Sequence, residues 1–385
     1  MSRIYMDHAA TTPLRPEVLE AMLPYLNDEF GNPSSVYSWG RGARQALDTA
    51  RDTVSRLLGA SANEIIFTSG GSEAANLALK GVAWSYQNKG KHIITSAIEH
   101  HAVLDSVHWL GQQGFEITIL PVDEEGFVSP SQLKEALRED TILVSIMHAN
   151  NEVGTVQPIS ELGAIVREHG ALFHTDAVQT AGVMKLNVDE LNVDLLSLSA
   201  HKFYGPKGVG ALYVRKGIRL HPLIHGGAQE KRRRAGTENV AGIVGLAKAL
   251  ELADAERDKE NERLIKLRDR LIHGLCEIPH TKVNGSLTHR LPNNVNICFE
   301  FIEGESMLLN LDMRGIAASS GSACTSGSLD PSHVLLAMGL THEVAHGSLR
   351  ISLGRANTEA DVDFVLQELP GIVERLRAMS PLYQG

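Results

Sequence analysis

Between about residue 64 and residue 214, short apolar runs alternate with longer amphipathic segments. EIIFT, KHIITS, FEITILPV, TILVSIM, ALFHTD, VDLLSLSA and GVGALYV read as strands. SEAANLALKGVAW, HAVLDSVHWLGQQG, SPSQLKEALRED and ISELGAIVREHG lie between them at helix length. This alternation predicts βαβ units and a mostly parallel, doubly wound sheet. Strands that are apolar throughout fit a sheet covered on both faces.

After GVGALYV the rhythm changes. Residues 238–276 contain no proline and are rich in Ala, Leu, Glu, Lys and Arg. Their charged half, ELADAERDKENERLIKLRDRLI, predicts a long exposed helix joining two lobes. Beyond it come VNI, a helix near GESMLLNLDMRG, the loop SSGSACTSGS, the strand SLRISL and a last helix, TEADVDFVLQELPGIVERLRAM. At 385 residues the chain exceeds what one core comfortably organises. The expected division is a large α/β domain over 15–258 and a smaller α+β domain built from 1–14 and 259–385.

Composition narrows the classes. Hydrophobic residues make up 43% and charged residues 21%, ordinary for a globular protein. No apolar run approaches the roughly 18 residues of a membrane span. MSRIYMDHAA lacks the basic-then-apolar pattern of a secretory signal, so a cytoplasmic location is expected. A net charge of −10 and a pI near 5.9 argue against nucleic acid or an anionic membrane as partner. The basic run Lys231-Arg232-Arg233-Arg234 is a local exception, either a solvated loop or one that faces an anion.

The cysteines, Cys276, Cys298 and Cys324, form neither a disulfide framework nor a zinc pattern. Cys298 in VNICF reads as core and Cys276 as an inert helix position. Cys324, in a loop of small polar residues, is a candidate nucleophile.

Four segments carry chemistry. Lys202, in SAHKFYGPKGVG, follows an apolar strand, where α/β sheets place their ligands, and can form a Schiff base with an aldehyde cofactor. A surface lysine before a glycine turn would show the same local pattern. Asp176, in FHTDAVQ, ends another strand and could pair with a pyridinium nitrogen or cap a helix, with Gln179 placed to reach a phenolic oxygen. TSGGSE, with Gly71 and Ser72, is a strand–glycine–helix turn suited to an anion. IEHHA offers His100 for stacking and proton transfer. A metal pair of His100 and His101 is discounted, because adjacent residues share no face.

In this order the segments resemble cysteine desulfurases of the NifS and IscS type, in the class V aminotransferase family. The resemblance runs nearly end to end, through YMDHAATTP, FGNPSS, TSGGSEAANLALKG, IEHHAVL, MHANNEVGTVQPI, HTDAVQ, SAHKFYGPKGVG, RRAGTEN, SSGSACTSG and SLRISLGR. It implies an aspartate-aminotransferase-like fold, fold type I of the pyridoxal-phosphate enzymes, with pyridoxal 5′-phosphate as cofactor. Lys202 becomes the Schiff-base lysine, Asp176 the partner of the ring nitrogen, and His100 the stacking acid–base. Asn151 and Gln179 would contact cofactor and substrate, and Gly71, Ser72, Ser199 and His201 the phosphate. Thr237 would reach the phosphate of the neighbouring subunit in a homodimer. Arg350 would grip the carboxylate of L-cysteine, and Cys324 would take its sulfur as a persulfide.

The resemblance further implies delivery of sulfur to an acceptor protein, for iron–sulfur cluster assembly or for tRNA or cofactor thiolation. No dedicated metal site is implied, only a transient contact of Cys324 with a nascent iron–sulfur cluster. Ser72 stands where much of the family has threonine, and Ala228 where a third glycine is common. The competing readings are another reaction on the same fold, selenocysteine lyase or aminotransferase, and a catalytically idle binding protein.

Overall fold

A computed structural model describes residues 3–320 and 331–383 of the chain. The chain opens with a short strand β1 (Ile4–Tyr5) and the helices α1 (Pro16–Asn27) and α2 (Ser38–Leu58). The βα rhythm then gives β2 (Ile65–Thr68), α3 (Gly71–Tyr86), β3 (His92–Ser96), α4 (His101–Gln112) and β4 (Glu116–Leu120). It continues through α5 (Pro130–Ala136), β5 (Thr141–Ser145), α6 (Ile159–His169), β6 (Leu172–Asp176), β7 (Leu195–Ser199) and β8 (Gly210–Val214). After α7 (Val240–Leu275) come β9 (Thr281–Val283), β10 (Asn294–Phe299), α8 (Gly304–Met313) and β11 (Ile316–Ala317). The last elements are α9 (His333–Ala337), α10 (His342–His346), β12 (Ser348–Ser352) and α11 (Glu359–Met379).

The central sheet runs β2-β8-β7-β6-β5-β3-β4. β8 pairs antiparallel with both neighbours, and every other pairing is parallel. Helices cover both faces, so β2, β3, β5, β7 and β8 are buried along their whole length. The expectation of uniform burial fails at β4. That strand is one edge of the sheet, and Ile119 there is 41% exposed, whereas the other edge, β2, is covered.

Buried polar side chains inside the sheet are paired with one another. His174 on β6 bonds Ser145 on β5 at 2.8 Å through Nδ1 and Ser197 on β7 at 2.9 Å through Nε2. This polar row fastens the three strands that carry the site, because an unpaired polar group there would cost its full desolvation.

One apolar core joins α1, α2 and the first part of α7 to the sheet, and a second fills the opposite face beneath α3 and α4. A further core gathers Ile4 and Met6 with residues from Leu264 to Leu376, around the antiparallel sheet β12-β10-β9. The helix α7, 36 residues long, runs from one core into the other. Its charged half is less exposed than the sequence suggests, since Leu264, Leu267 and Leu271 are buried at a heptad-like spacing. Cys276 caps its end and is exposed, whereas Cys298 is buried with its sulfur accepting from Asn284 Nδ2 at 3.1 Å.

Candidate active site

Asp176 is the last residue of β6, and Lys202 ends a single 3-10 turn, Ala200–Lys202, directly after β7. Because β6 and β7 are parallel neighbours, both side chains emerge at the carboxyl rim of the sheet. Between them opens a cavity of about 300 Å³. Every site residue expected from the sequence lines it, except Thr237 and Cys324. Cys324 lies outside the described residues.

Lys202 does not stand at the surface. Its Nζ donates to the carbonyls of Ala9 and, at 2.8 Å, of Ala10. Asp176 is 8% exposed, with Oδ1 accepting the Val178 N–H at 2.9 Å. Burial pushes its carboxyl up to about 6, while that hydrogen bond and the nearby Lys202 ammonium oppose the rise.

His100 caps α4, where its Nδ1 accepts the Ala102 N–H at 3.0 Å. The proton of the neutral ring therefore belongs on Nε2. Burial, helped by the charge of Lys202, holds the imidazole down at about 4, so it is neutral at ordinary pH. His201 bonds Thr11 Oγ1 at 3.1 Å through Nδ1, and burial lowers its pKa to about 4 as well.

α3 begins at Gly71 and so presents the unbonded N–H groups of a helix start to the cavity. A Cβ at Gly71 would lie 2.9 Å from Val178 Cγ2, and Ser199 sits just beyond. Only glycine leaves room there. Close approach also explains Gly210 on β8, whose Cβ would meet the Gly70 backbone at 2.7 Å.

Arg350, on β12, is 3% exposed. Its Nη2 donates to Asp7 Oδ1 at 2.9 Å and its Nη1 to the Asn151 carbonyl at 3.1 Å. Its Nε is buried with no partner among the described residues. Gln179 Nε2 donates to the Ala9 carbonyl at 3.1 Å.

Thr237 is exposed, in the loop before α7. The basic run beside it does not turn to the cavity. Arg234 pairs with Glu73 at 2.8 Å, and Lys231 and Arg233 bond Asn63. Glu230, immediately before the run, is buried against Arg51 at 2.6 Å. Among the described residues no group of three or more His, Cys, Asp or Glu side chains is placed to hold a metal, and no helix is long and apolar enough to cross a membrane.

The residues missed in the sequence are those of the segment Asp7–Thr12. MDHAATT supplies the carbonyls for Lys202, the carboxylate for Arg350 and the hydroxyl for His201. The motif was visible, but nothing local announced partners so distant in the chain. Glu99 and Glu152, both buried, were also missed. Glu99 accepts from Ser96 Oγ at 2.5 Å and the Met147 N–H at 2.9 Å, and Glu152 from Ser332 Oγ at 2.5 Å.

Residues 4–365 match the family model Aminotransferase class-V. The chain is 62% identical over 379 residues to the cysteine desulfurase IscS of Methanosarcina thermophila, covering 98% of this chain and 94% of that one. It is 59% identical over 382 residues to the cysteine desulfurase IscS of Dictyoglomus turgidum, covering 99% and 97%. Among solved structures, a NifS-like protein superposes with a TM-score of 0.92 at 41% identity, covering 97% of this chain and all of the other. SspA in complex with cysteine superposes with a TM-score of 0.82 at 40% identity, covering 91% and 99%. Fold and likeness agree along nearly the whole chain: it belongs to the class V aminotransferase family of pyridoxal-phosphate fold type I, and within it to the cysteine desulfurases of the NifS and IscS type.

Proposed function

We propose that this cysteine desulfurase holds pyridoxal 5′-phosphate in the rim cavity and passes sulfur from L-cysteine to Cys324. The observation that carries the reading is the meeting of Lys202, Asp176 and Arg350 around one cavity, from three separate strands. The donor set fits the cofactor: an amine for its aldehyde, a buried carboxylate for its ring nitrogen, and a glycine-lined helix start with two serines for its phosphate. Gly71 makes the last of these possible, since a Cβ there would collide with Val178. The bound cofactor supplies an electron sink for the α-carbon of the amino acid.

The protein's own groups then divide the work. Asp176 stays anionic when a cation sits beside it, because opposite charge offsets the cost of burial. Arg350 offers its buried, unpartnered Nε to the substrate carboxylate, held in place by Asp7 and Asn151. Lys202 removes the α-proton and carries it on Nζ. His100, neutral with its proton on Nε2, can pass that proton to the departing product. The Cys324 thiolate forms a bond to the substrate sulfur as the carbon–sulfur bond breaks. L-Cysteine and a thiol thus become L-alanine and a persulfide.

The exposed position of Thr237, away from its own cavity, supports a homodimer in which it reaches the partner's phosphate. The persulfide would serve an iron–sulfur scaffold or a thiolation protein in the cytoplasm, and Cys324 would touch a cluster only in passing.

Purified protein given L-cysteine without reductant and weighed intact and after digestion tests this. The expected result is one added sulfur on the Cys324 peptide with one alanine per sulfur. Cys324→Ser should keep the cofactor absorbance and gain no sulfur. Keto-acid-dependent amino transfer without sulfur release would overturn the reading.

A further inference from the structure

Lys202 is a wall between two spaces. One is the rim cavity; behind the lysine lies a second chamber of about 60 Å³, which Gln179 also borders. Its lining includes the buried His8 together with Glu256, Glu260 and Arg355. Glu256 and Arg355 form an ion pair with both side chains 38% exposed, so the chamber reaches towards solvent at that end.

His8 is 5% exposed, and among the described residues neither of its ring nitrogens has a hydrogen-bond partner. The Tyr5 carbonyl lies close enough to favour the charged ring slightly, yet outside hydrogen-bond geometry. The ring cannot turn elsewhere for partners. It lies flat on Gly354, where any Cβ would overlap it, and it packs edge-on against Tyr5 at 4.9 Å. Burial holds the imidazole down at about 4, so it is neutral, with one N–H to give and one lone pair to fill.

A buried polar ring with both nitrogens unmet, bordering a polar space, is the usual signature of internal water. Dry cavities are apolar, and about 10–15 Å³ of such space admits one water molecule. This chamber is lined in part by charged side chains, among them Arg15, Glu256, Glu260 and Arg355, and has room for several.

We propose that the chamber holds a short file of water molecules bonded to His8, and that this file exchanges the proton on Lys202 Nζ with bulk solvent. The inference rests on Lys202 being the residue that carries the substrate α-proton. Because Lys202 lines both spaces, one of its ammonium protons can pass to a chamber water while a solvent proton returns through His8. Nothing is gained or lost in the exchange, and the net reaction is unchanged. His8 acts through water and is a positioning residue. Its role makes the identity of the returned proton, rather than the rate of sulfur transfer, the quantity to measure.

Two measurements decide it. A high-resolution crystal structure of the cofactor-loaded protein should show ordered water within hydrogen-bond reach of a His8 ring nitrogen; a dry chamber overturns the proposal whatever the activity. The second follows loss of the L-alanine α-proton in D₂O by proton NMR, in Cys324→Ser so that sulfur chemistry plays no part. Adding His8→Phe should slow this washout at least tenfold while the absorbance of the lysine-bound cofactor stays unchanged. Adding His8→Asn, which keeps a donor and an acceptor, should recover much of the rate. Equal washout with histidine and phenylalanine overturns the proposal. Protein that forms persulfide but has a dry chamber refutes this inference alone. Protein whose cofactor is not bound through Lys202 refutes the underlying assignment with it.

Discussion

Arg350 and Asp7, 343 residues apart in sequence, meet in a 2.9 Å ion pair at the edge of the cavity, with side chains only 4% and 18% exposed. With the Asn151 carbonyl, the pair fixes the guanidinium, whose Nε has no partner among the described residues. Arg350→Lys keeps the charge but loses the planar fork. It should reduce kcat/KM for L-cysteine roughly ten- to hundredfold, the worth of one charge-assisted hydrogen bond of about 1.5–3 kcal/mol, mostly through KM. Asp7→Ala should destabilise the fold by about 3 kcal/mol, because it strands a buried cation. Steady-state kinetics and urea unfolding check the two, and an unchanged KM in Arg350→Lys would remove the arginine from substrate binding.

Asp176→Asn tests the electron-sink assignment. The amide fits the same space and can still accept the Val178 N–H, so stability should change little. Turnover should fall about 10²–10³-fold, the scale for losing one preorganised electrostatic partner. A variant that turns over normally with cofactor bound would show that the ring nitrogen needs no anion here.

Glu99 gives a pH prediction. Burial pushes its carboxyl from 4.5 up to about 8, against the opposing hydrogen bonds from Ser96 and Met147. Between those values the folded chain holds a proton that the unfolded chain has released, so stability falls as pH rises through the window. Glu99→Gln cannot titrate. Its stability relative to the parent should therefore improve steadily from pH 5 to pH 8, read from urea midpoints. Parallel curves for the two proteins would contradict the assignment.

His174 has the opposite sign. Burial holds its imidazole near 3, so its neutral form is favoured and this contribution is lost as pH falls below its ordinary 6.5. His174→Leu removes that acid sensitivity but leaves the Ser145 and Ser197 hydroxyls unpaired inside the sheet. A loss of about 3 kcal/mol is expected at pH 7, from about 1–3 kcal/mol per stranded group. Denaturant titration at pH 5 and pH 7 measures both effects.

Much of this was legible beforehand, and the reason is local. Asp176 and Lys202 each follow an apolar run at the rim where a parallel sheet presents its side chains, a pattern that a helix cap or a surface lysine shares, and the resemblance singles them out. Gly71 sits in a strand–glycine–helix turn that is generic by itself and gains meaning only beside the other segments. Asp7 and Glu99 are not legible in this way. The partner of Asp7 comes from the last strand, and the burial of Glu99 and its contacts with Met147 and Asp176 come from the tertiary fold, which no window of sequence contains. The exposure of β4 was equally hidden, since strand order and the cover over each edge, which leaves β4 open and β2 buried, are set by the tertiary fold.

The segment from Ile4 to Thr12 has a consequence for biosynthesis. Its residues anchor in the core that includes Leu264 to Leu376, and its carbonyls receive Lys202 193 residues further along. A ribosome delivers this segment long before the residues from Leu264 to Leu376 on which it docks. The rim cavity therefore cannot close in a nascent chain until those residues have been made, and Lys202 keeps no fixed place before then.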